Sequence, residues 1–317
     1  MNMNSMDNAK QQRESSFRAM GTDVTVTIVA PATQAQAAVS AESEVQKIFE
    51  NNEKIFSRFD PASELSKINQ SIGVSLGISE PMRAVLELCL KFNKEMEGFF
   101  DPRILSHLEQ IGYTQDFRKY DPNNISGVLP TIHPIEGCLS ENLSVDSANK
   151  TVITRQRIDT TGIVKGYTVD MAAQHLQRLG FSNFVVDAGG DMQANGVDEQ
   201  GNAWEIGIEG LEGGTTRLVL RDEGVATSGI SRKRWTIGGQ KVHHLINPKQ
   251  PASFSHTIRT VTVIDKKTVE ADGRAKSLFL MGRENGIQFA NANRIKALFL
   301  DYQNNIYVSQ SIKENIK

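Results

Sequence analysis

The stretch Ile158-Asp159-Thr160-Thr161-Gly162-Ile163-Val164-Lys165-Gly166-Tyr167-Thr168-Val169-Asp170 decides how this chain is read. An apolar residue and a carboxylate run into a Gly-bearing turn, and Lys165 then stands against the start of an amphipathic helix. Val169, Ala172, Ala173, Leu176 and Leu179 recur at helical spacing and Gly180 marks the stop, so the turn has a firm support. Free N–H groups at a helix start, with a lysine ammonium beside them, suit an oxyanion, phosphate above all. The same residues also fit a solvated lysine beside an ordinary turn, and one Gly-Lys loop does not separate the two readings.

Upstream, Asp23 to Val29 alternates and is β-branched, which reads as a strand entered through Gly21. Gln34 to Phe56 carries Ala37, Ala38, Val45, Ile48 and Phe49 at helical spacing and stops before Phe59-Asp60-Pro61. Ser79 and Pro81 open a helix running to about Glu97, closed by Gly98-Phe99-Phe100-Asp101-Pro102. Residues 1–16 read as a polar tail ahead of one unit spanning 17–310, and Gln115 to Asn149 as loops with short strands.

Downstream, two hydrophobic runs, Asn183–Val186 and Ala203–Ile208, flank Asp187-Ala188-Gly189-Gly190-Asp191. Its paired glycines let backbone approach a ligand or a neighbouring strand. Strands are expected at Thr216–Arg221, Trp235–Ile237 and Thr260–Ile264, helices at Val269–Met281 and Asn285–Ala292, and a hairpin turn at Asn304-Asn305. The sequence shows no internal repeat and no linker rich enough in Gly, Ser or Pro to divide it.

The 317 residues are 39% hydrophobic and 23% charged, ordinary globular composition that sets disorder aside for most of the chain. A net charge of -2, with no basic run interleaved with aromatics, gives no platform for nucleic acid and points to a small-molecule or protein substrate. Cys89 and Cys138 lack metal-ligand spacing and read as buried free thiols. Met1 to Ser16 has neither the apolar run of a signal peptide nor the span of a membrane helix. A cytoplasmic protein is expected, although an exported form trimmed of a leader would look the same.

Eight landmarks in order then resemble the FAD:protein FMN transferase family, also called the ApbE or flavin transferase family. They are Phe17 with Met20-Gly21-Thr22, Phe56-Ser57 with Ser63 to Asn69, Phe100-Asp101-Pro102, Asp159 through Asp170, Asp187 through Asp191, Ala226-Thr227-Ser228-Gly229, His244 through Pro248, and Ala271-Asp272 through Gly282. The resemblance implies a mixed α/β (α+β) fold, a single large domain of mixed sheets and packed helices. It implies FAD as substrate or bound ligand, magnesium, and transfer of FMN to a threonine or serine of an acceptor protein with release of AMP. It further implies that Met20, Asp101, Asp159, Lys165, Gly189, Gly190, Asp191, Thr227, Ser228 and Gly229 hold FAD, and that Asp272, with backbone carbonyls near Gly162, holds the metal. By itself Asp272 also fits a first-turn helix carboxylate favoured by the dipole.

His244 occupies the family's catalytic histidine position, and an ordinary imidazole pKa of ~6.5 leaves it neutral enough to act as base. His243 could equally be a strand residue pointing the other way. Three departures concern the metal: Lys276 stands where the family has a threonine ligand, Thr160-Thr161 where it favours Leu-Gly, and Asn247 where an aspartate is usual. The Lys276 ammonium could replace the metal's charge, or snorkel to solvent beside Asp272. Two other outcomes fit the same residues: a flavin-binding protein without transfer activity, and an FAD pyrophosphatase that uses water. No flavin-target motif of the form Asp-Gly-x-Ser/Thr-Gly/Ser-Ala-Ser/Thr occurs in the chain, so self-modification is not indicated.

Overall fold

The computed structural model describes residues 10–115, 128–211, 216–231 and 233–317. It begins with a hairpin of β1 (Lys10–Ala19) and β2 (Thr22–Pro31), turned by Met20 (φ 52°) and Gly21 (φ 74°). Two successive left-handed residues match the twist of antiparallel strands. The expected tail of residues 1–16 is corrected from Lys10 onward, since Lys10–Ser16 pairs residue by residue with Thr25–Pro31. An edge strand gains its ladder through backbone, so polar side chains do not forbid it.

The helices α1 (Ala35–Phe56) and α2 (Glu64–Gln70), the short strand β3 (Leu76–Gly77) and α3 (Glu80–Glu95) follow. The Ser63 and Ser79 hydroxyls cap α2 and α3, accepting from the Ser66 and Met82 N–H groups at 3.0 and 3.3 Å. Next come α4 (Leu105–Gln110), α5 (Leu139–Asn142), and the hairpin β4 (Leu143–Asp146) with β5 (Thr151–Thr154). Of the expected loops at 115–149, residues 116–127 lie outside the described residues. The central helix α6 (Thr161–Arg178) leads to β6 (Phe184–Ala188), β7 (Met192–Asn195), β8 (Trp204–Gly207), β9 (Arg217–Leu220) and β10 (Glu223–Gly229). The chain closes with β11 (Arg234–Ile237), β12 (Gln240–His243), β13 (Ile258–Asp265), α7 (Thr268–Met281), α8 (Arg283–Ala292), β14 (Lys296–Asp301) and β15 (Ile306–Val308). The folded unit runs past the expected limit of 310, because Ile316 bridges Leu218.

Eight strands form the main sheet in the order β1-β2-β6-β7-β10-β13-β14-β15, and its pairings are antiparallel. Alternation sorts its side chains. Val24, Val26, Phe184 and Val186 meet Val45 and Phe49 of α1 and Val169 and Leu176 of α6, while Ala226, Val261 and Val263 meet Ala275 and Leu278 of α7. On the opposite face Val185, Val225, Ile264 and Leu298 are covered by Trp204, Leu218 and Leu220 of the β8–β9 hairpin and by Ile312. Each such aliphatic side chain contributes about 1.5–3 kcal/mol on burial. This is the expected mixed α/β fold. Among the described residues no helix is long and apolar enough to cross a membrane.

Two residues of the opening stretch position α7. A Cβ on Gly166 would lie 2.8 Å from the Thr268 carbonyl oxygen and from Val269 Cα, so only glycine lets α6 and α7 cross this closely. Asp170 accepts from the N–H groups of Thr268 (2.8 Å) and Val269 (3.1 Å), capping α7 from outside the helix, and burial pushes its pKa up to about 6. Cys89 is buried in α3 as expected, but Cys138 is exposed: it precedes the short α5, where no apolar face covers it.

Candidate active site

Two hairpin tips lie side by side at one end of the main sheet. β2 pairs with β6, Val24 opposite Ala188, which brings the Met20-Gly21 turn next to Gly189-Gly190. Gly189 (φ 68°) and Gly190 (φ 101°) form the two-residue turn from β6 to β7, closed by the Ala188 N–H donating to the Asp191 carbonyl at 2.9 Å. A Cβ on Gly189 would fall onto the Thr22 hydroxyl, so this close approach requires glycine. The Asp187 carboxylate accepts from the Gly190 N–H at 2.7 Å. The turn delivers buried Asp191 to Lys165, and the two form an ion pair.

Helix α6 begins at Thr161, so Gly162 is already helical and Lys165 sits one turn in, not in a preceding loop. Asp159 is buried just before it. One carboxylate oxygen accepts from the Thr161 N–H at 2.8 Å, and the other faces Arg58 Nε at 3.4 Å. One N–H at the helix start is therefore spoken for, and the capacity to hold an anion rests chiefly on ammonium groups. Burial works to lower the Lys165 pKa, but Asp191 and Asp272, with Glu209, outweigh it and hold the pKa above the ordinary value. The Asp191 carboxyl is itself raised, by burial and by Asp272, against the pull of Lys165.

From α7, Asp272 Oδ1 accepts from Lys276 Nζ at 2.9 Å and Oδ2 from the Gly166 N–H at 3.4 Å. The Lys276 stem lies over Gly162, where a Cβ would stand 3.6 Å from its Cδ and Cε. With 20% of its side chain exposed, Lys276 is held in the site and does not snorkel away.

The β11–β12 hairpin supplies the histidine. His243 is buried with its ring edge-on to Phe254, His256 and Phe279, its Nε2 is 3.1 Å from the Ser255 carbonyl, and burial pushes its pKa down to about 4. His244, the residue after β12 ends, has the charged groups of Lys233 and Lys276 near it instead. Its Nδ1 is 3.2 Å from the Lys233 carbonyl; because a carbonyl only accepts, Nδ1 carries the hydrogen and Nε2 presents its lone pair. Burial, then the Lys233 charge, hold its pKa well below the usual value, so the ring is neutral at pH 7.

Two cations escaped sequence reasoning. Lys233 makes no ion pair among the described residues and lies 6.0 Å over the Tyr113 ring; burial, reinforced by Lys165, Lys276 and Arg58 and opposed by Asp159, pushes its pKa down to about 8. It lies just ahead of β11, which starts at Arg234, and no local pattern marks it. Arg58, with 4% of its side chain exposed, stacks 4.2 Å from Phe59 and 4.4 Å from Tyr113. It donates from Nη1 to the Tyr113 carbonyl at 3.0 Å, and its Nη2 has no partner among the described residues.

Not every expected residue joins them. Asp101 is taken up by Arg103 and Asn93. Thr227 bonds Thr262 at 2.9 Å on the face covered by β8–β9, away from α6 and α7. Ser228 is buried on the α7 face, and Gly229 makes room for the Arg259 carbonyl, 2.8 Å from where a Cβ would be. Met20 packs against two core clusters at its turn.

The donors for a divalent cation do not fit. Gly162 and Asp272 do meet, but around an ammonium, and Lys276 offers a hard cation no lone pair. Asn247 caps a turn through the Lys249 N–H at 3.0 Å. No cluster of three His, Cys, Asp or Glu side chains suited to a metal occurs among the described residues.

Fold and site together define an α/β protein that gathers Lys165, Lys233, Lys276 and Arg58 near a neutral histidine. Among solved structures it is similar to the Pseudomonas stutzeri flavinyl transferase ApbE in apo form, with TM-score 0.80, 23% identity, and 98% of this chain and 99% of that one covered. It is also similar to the flavin transferase ApbE from Vibrio cholerae, with TM-score 0.79, 25% identity, and 96% and 99% covered. Curated relatives are the FAD:protein FMN transferases of Vibrio cholerae, 27% identical over 82% of this chain and 78% of the relative, and of Haemophilus influenzae, 25% identical over 93% and 88%. The ApbE family model matches residues 20–299, and the chain belongs to that family.

Proposed function

We propose that the chain transfers the FMN half of FAD to a threonine or serine hydroxyl of a protein acceptor and releases AMP. Family membership and the names of its relatives support this reading. The observation that carries it is His244, a neutral imidazole with Nε2 free among the described residues, beside the ammonium groups of Lys233 and Lys276. FAD lodges between the Asp159–Lys165 stretch and the Asp187–Asp191 turn. The acceptor hydroxyl oxygen bonds to the FMN phosphorus as the bond from that phosphorus to the bridging oxygen breaks. The electron pair leaves with AMP, and the hydroxyl proton passes to His244 Nε2. Positioning and charge neutralisation carry most of the rate, and Lys165, Lys233 and Lys276 supply that charge.

Mass spectrometry and nucleotide chromatography of the protein incubated with FAD and a peptide carrying the Asp-Gly-x-Ser/Thr-Gly/Ser-Ala-Ser/Thr motif test this. Equal yields of AMP and FMN-peptide are expected. Bound FAD with no AMP would make the protein a flavin binder, and AMP with free FMN a pyrophosphatase.

A further inference from the structure

We infer that this chain carries its site cation in its own sequence: Lys276 fills the place of a divalent ion against Asp272, and Lys233 adds the further charge, so that FAD is bound without a divalent metal. The inference rests on the FAD reading above. Three observations carry it. First, the carboxylate that would anchor a metal already holds an ammonium at 2.9 Å, and the lysine stem is seated on Gly162, where a metal's backbone ligand would be. A metal would have to displace that ammonium, or sit beside it and be repelled. Second, one of the local cations stands outside the ion pairs. Arg58 faces Asp159, Lys165 pairs with Asp191 and Lys276 with Asp272, whereas Lys233 faces no carboxylate within ion-pair distance among the described residues. Third, the Arg58 Nη2 donor is buried without a partner, spare hydrogen-bonding capacity at the same place.

A pyrophosphate diester brings two negative charges. Lys233 can answer one directly. Lys276 can answer the other while keeping its contact with Asp272, because an ammonium has three hydrogens to donate. The depressed Lys233 pKa fits this role, since an unpaired amine among like charges is stabilised as ammonium once an anion arrives.

The experiment is calorimetric titration of FAD into the full-length protein, in EDTA and in millimolar magnesium, for the parent, Lys276→Thr and Lys233→Met. The parent should bind FAD equally in both buffers, and magnesium alone should give no heat. Lys276→Thr should bind FAD roughly tenfold more weakly in EDTA and recover it with magnesium, as the hydroxyl joins Asp272. Lys233→Met should lose roughly tenfold in both buffers. Parent binding that vanishes in EDTA and returns with magnesium would overturn the inference; that titration needs no variant to fold. Binding reads the cation and transfer products read the chemistry, so metal-free FAD binding without FMN-peptide would remove the proposed transfer and leave this inference standing.

Discussion

Asp101 and Asp272 are both buried carboxylates with a cation a few residues on, yet the two regions end in opposite conditions. At Asp101, Arg103 donates from Nε at 3.0 Å and Nη2 at 2.7 Å, Asn93 adds a bond at 3.2 Å, and the guanidinium also reaches the Glu136 and Gly137 carbonyls at 3.0 and 2.9 Å. The network is closed and ties two loops together. At Asp272, Lys276 donates to one oxygen and keeps the rest of its ammonium toward a partly open site. His243 and His244 differ in what surrounds a ring nitrogen that has no hydrogen-bond partner among the described residues: His243 is boxed by aromatics, whereas His244 has the Lys233 and Lys276 charges near it. Burial and pairing are shared by Asp101 and Asp272, and what separates them is the donor capacity that Lys276 keeps and Arg103 has spent.

The histidines offer the largest effect. His244→Ala should lower FMN transfer by ~10²–10⁴-fold and leave FAD affinity largely intact. His243→Ala should instead lower the melting temperature, by removing a ring packed among Phe254 and Phe279. Since the His244 pKa lies well below 6.5, the rate at saturating FAD, where the bound anion holds Lys233 charged, should stay level from pH 8 to 6.5 and fall on further acidification. A transfer rate already halved at pH 6.5 would show that His244 is not the base as described.

The carboxylates come next. Asp101→Ala strands a buried guanidinium and should cost about 3–5 kcal/mol in denaturant titration, with FAD affinity unchanged in the folded fraction. Loss of FAD affinity without loss of stability would place Asp101 in the site and erase the contrast. Lys165→Ala should weaken FAD binding by about 1.5–3 kcal/mol, and an unchanged affinity would remove Lys165 from the site.

The smallest effect is one of pH. Lys233, with its pKa near 8, is charged below that value and neutral above it. Parent FAD affinity should therefore fall several-fold from pH 7 to 9.5, and Lys233→Met should lack that fall. A parent affinity that stays flat across this range would take Lys233 out of contact with FAD.

Much of this was readable from residue order alone. Apolar periodicity gave α1, α3, α6 and α7 to within a few residues, because their faces are set by local spacing. The glycines at 189 and 190 announced a close approach, and the structure shows it to be with Thr22. What could not be read depends on contacts distant in sequence. β1 is held by a ladder that its polar side chains do not advertise, and Asp101 is closed off by loop carbonyls more than thirty residues away. Thr227 and Ser228 were both expected at FAD, but they fall on opposite faces of β10, and only the layering decides which face meets α7. Arg58, Lys233 and Lys276 come from three separate elements, so their meeting belongs to the topology.

The central claim is that the protein's own cations, disposed around a neutral histidine, hold FAD and move its FMN. The most direct test is to incubate the protein, stripped with EDTA and kept in EDTA, with FAD and an acceptor peptide, and to follow AMP and FMN-peptide together. The account predicts that both accumulate in equal amounts, at a rate that added magnesium does not raise. Products that appear only when magnesium is supplied would contradict it.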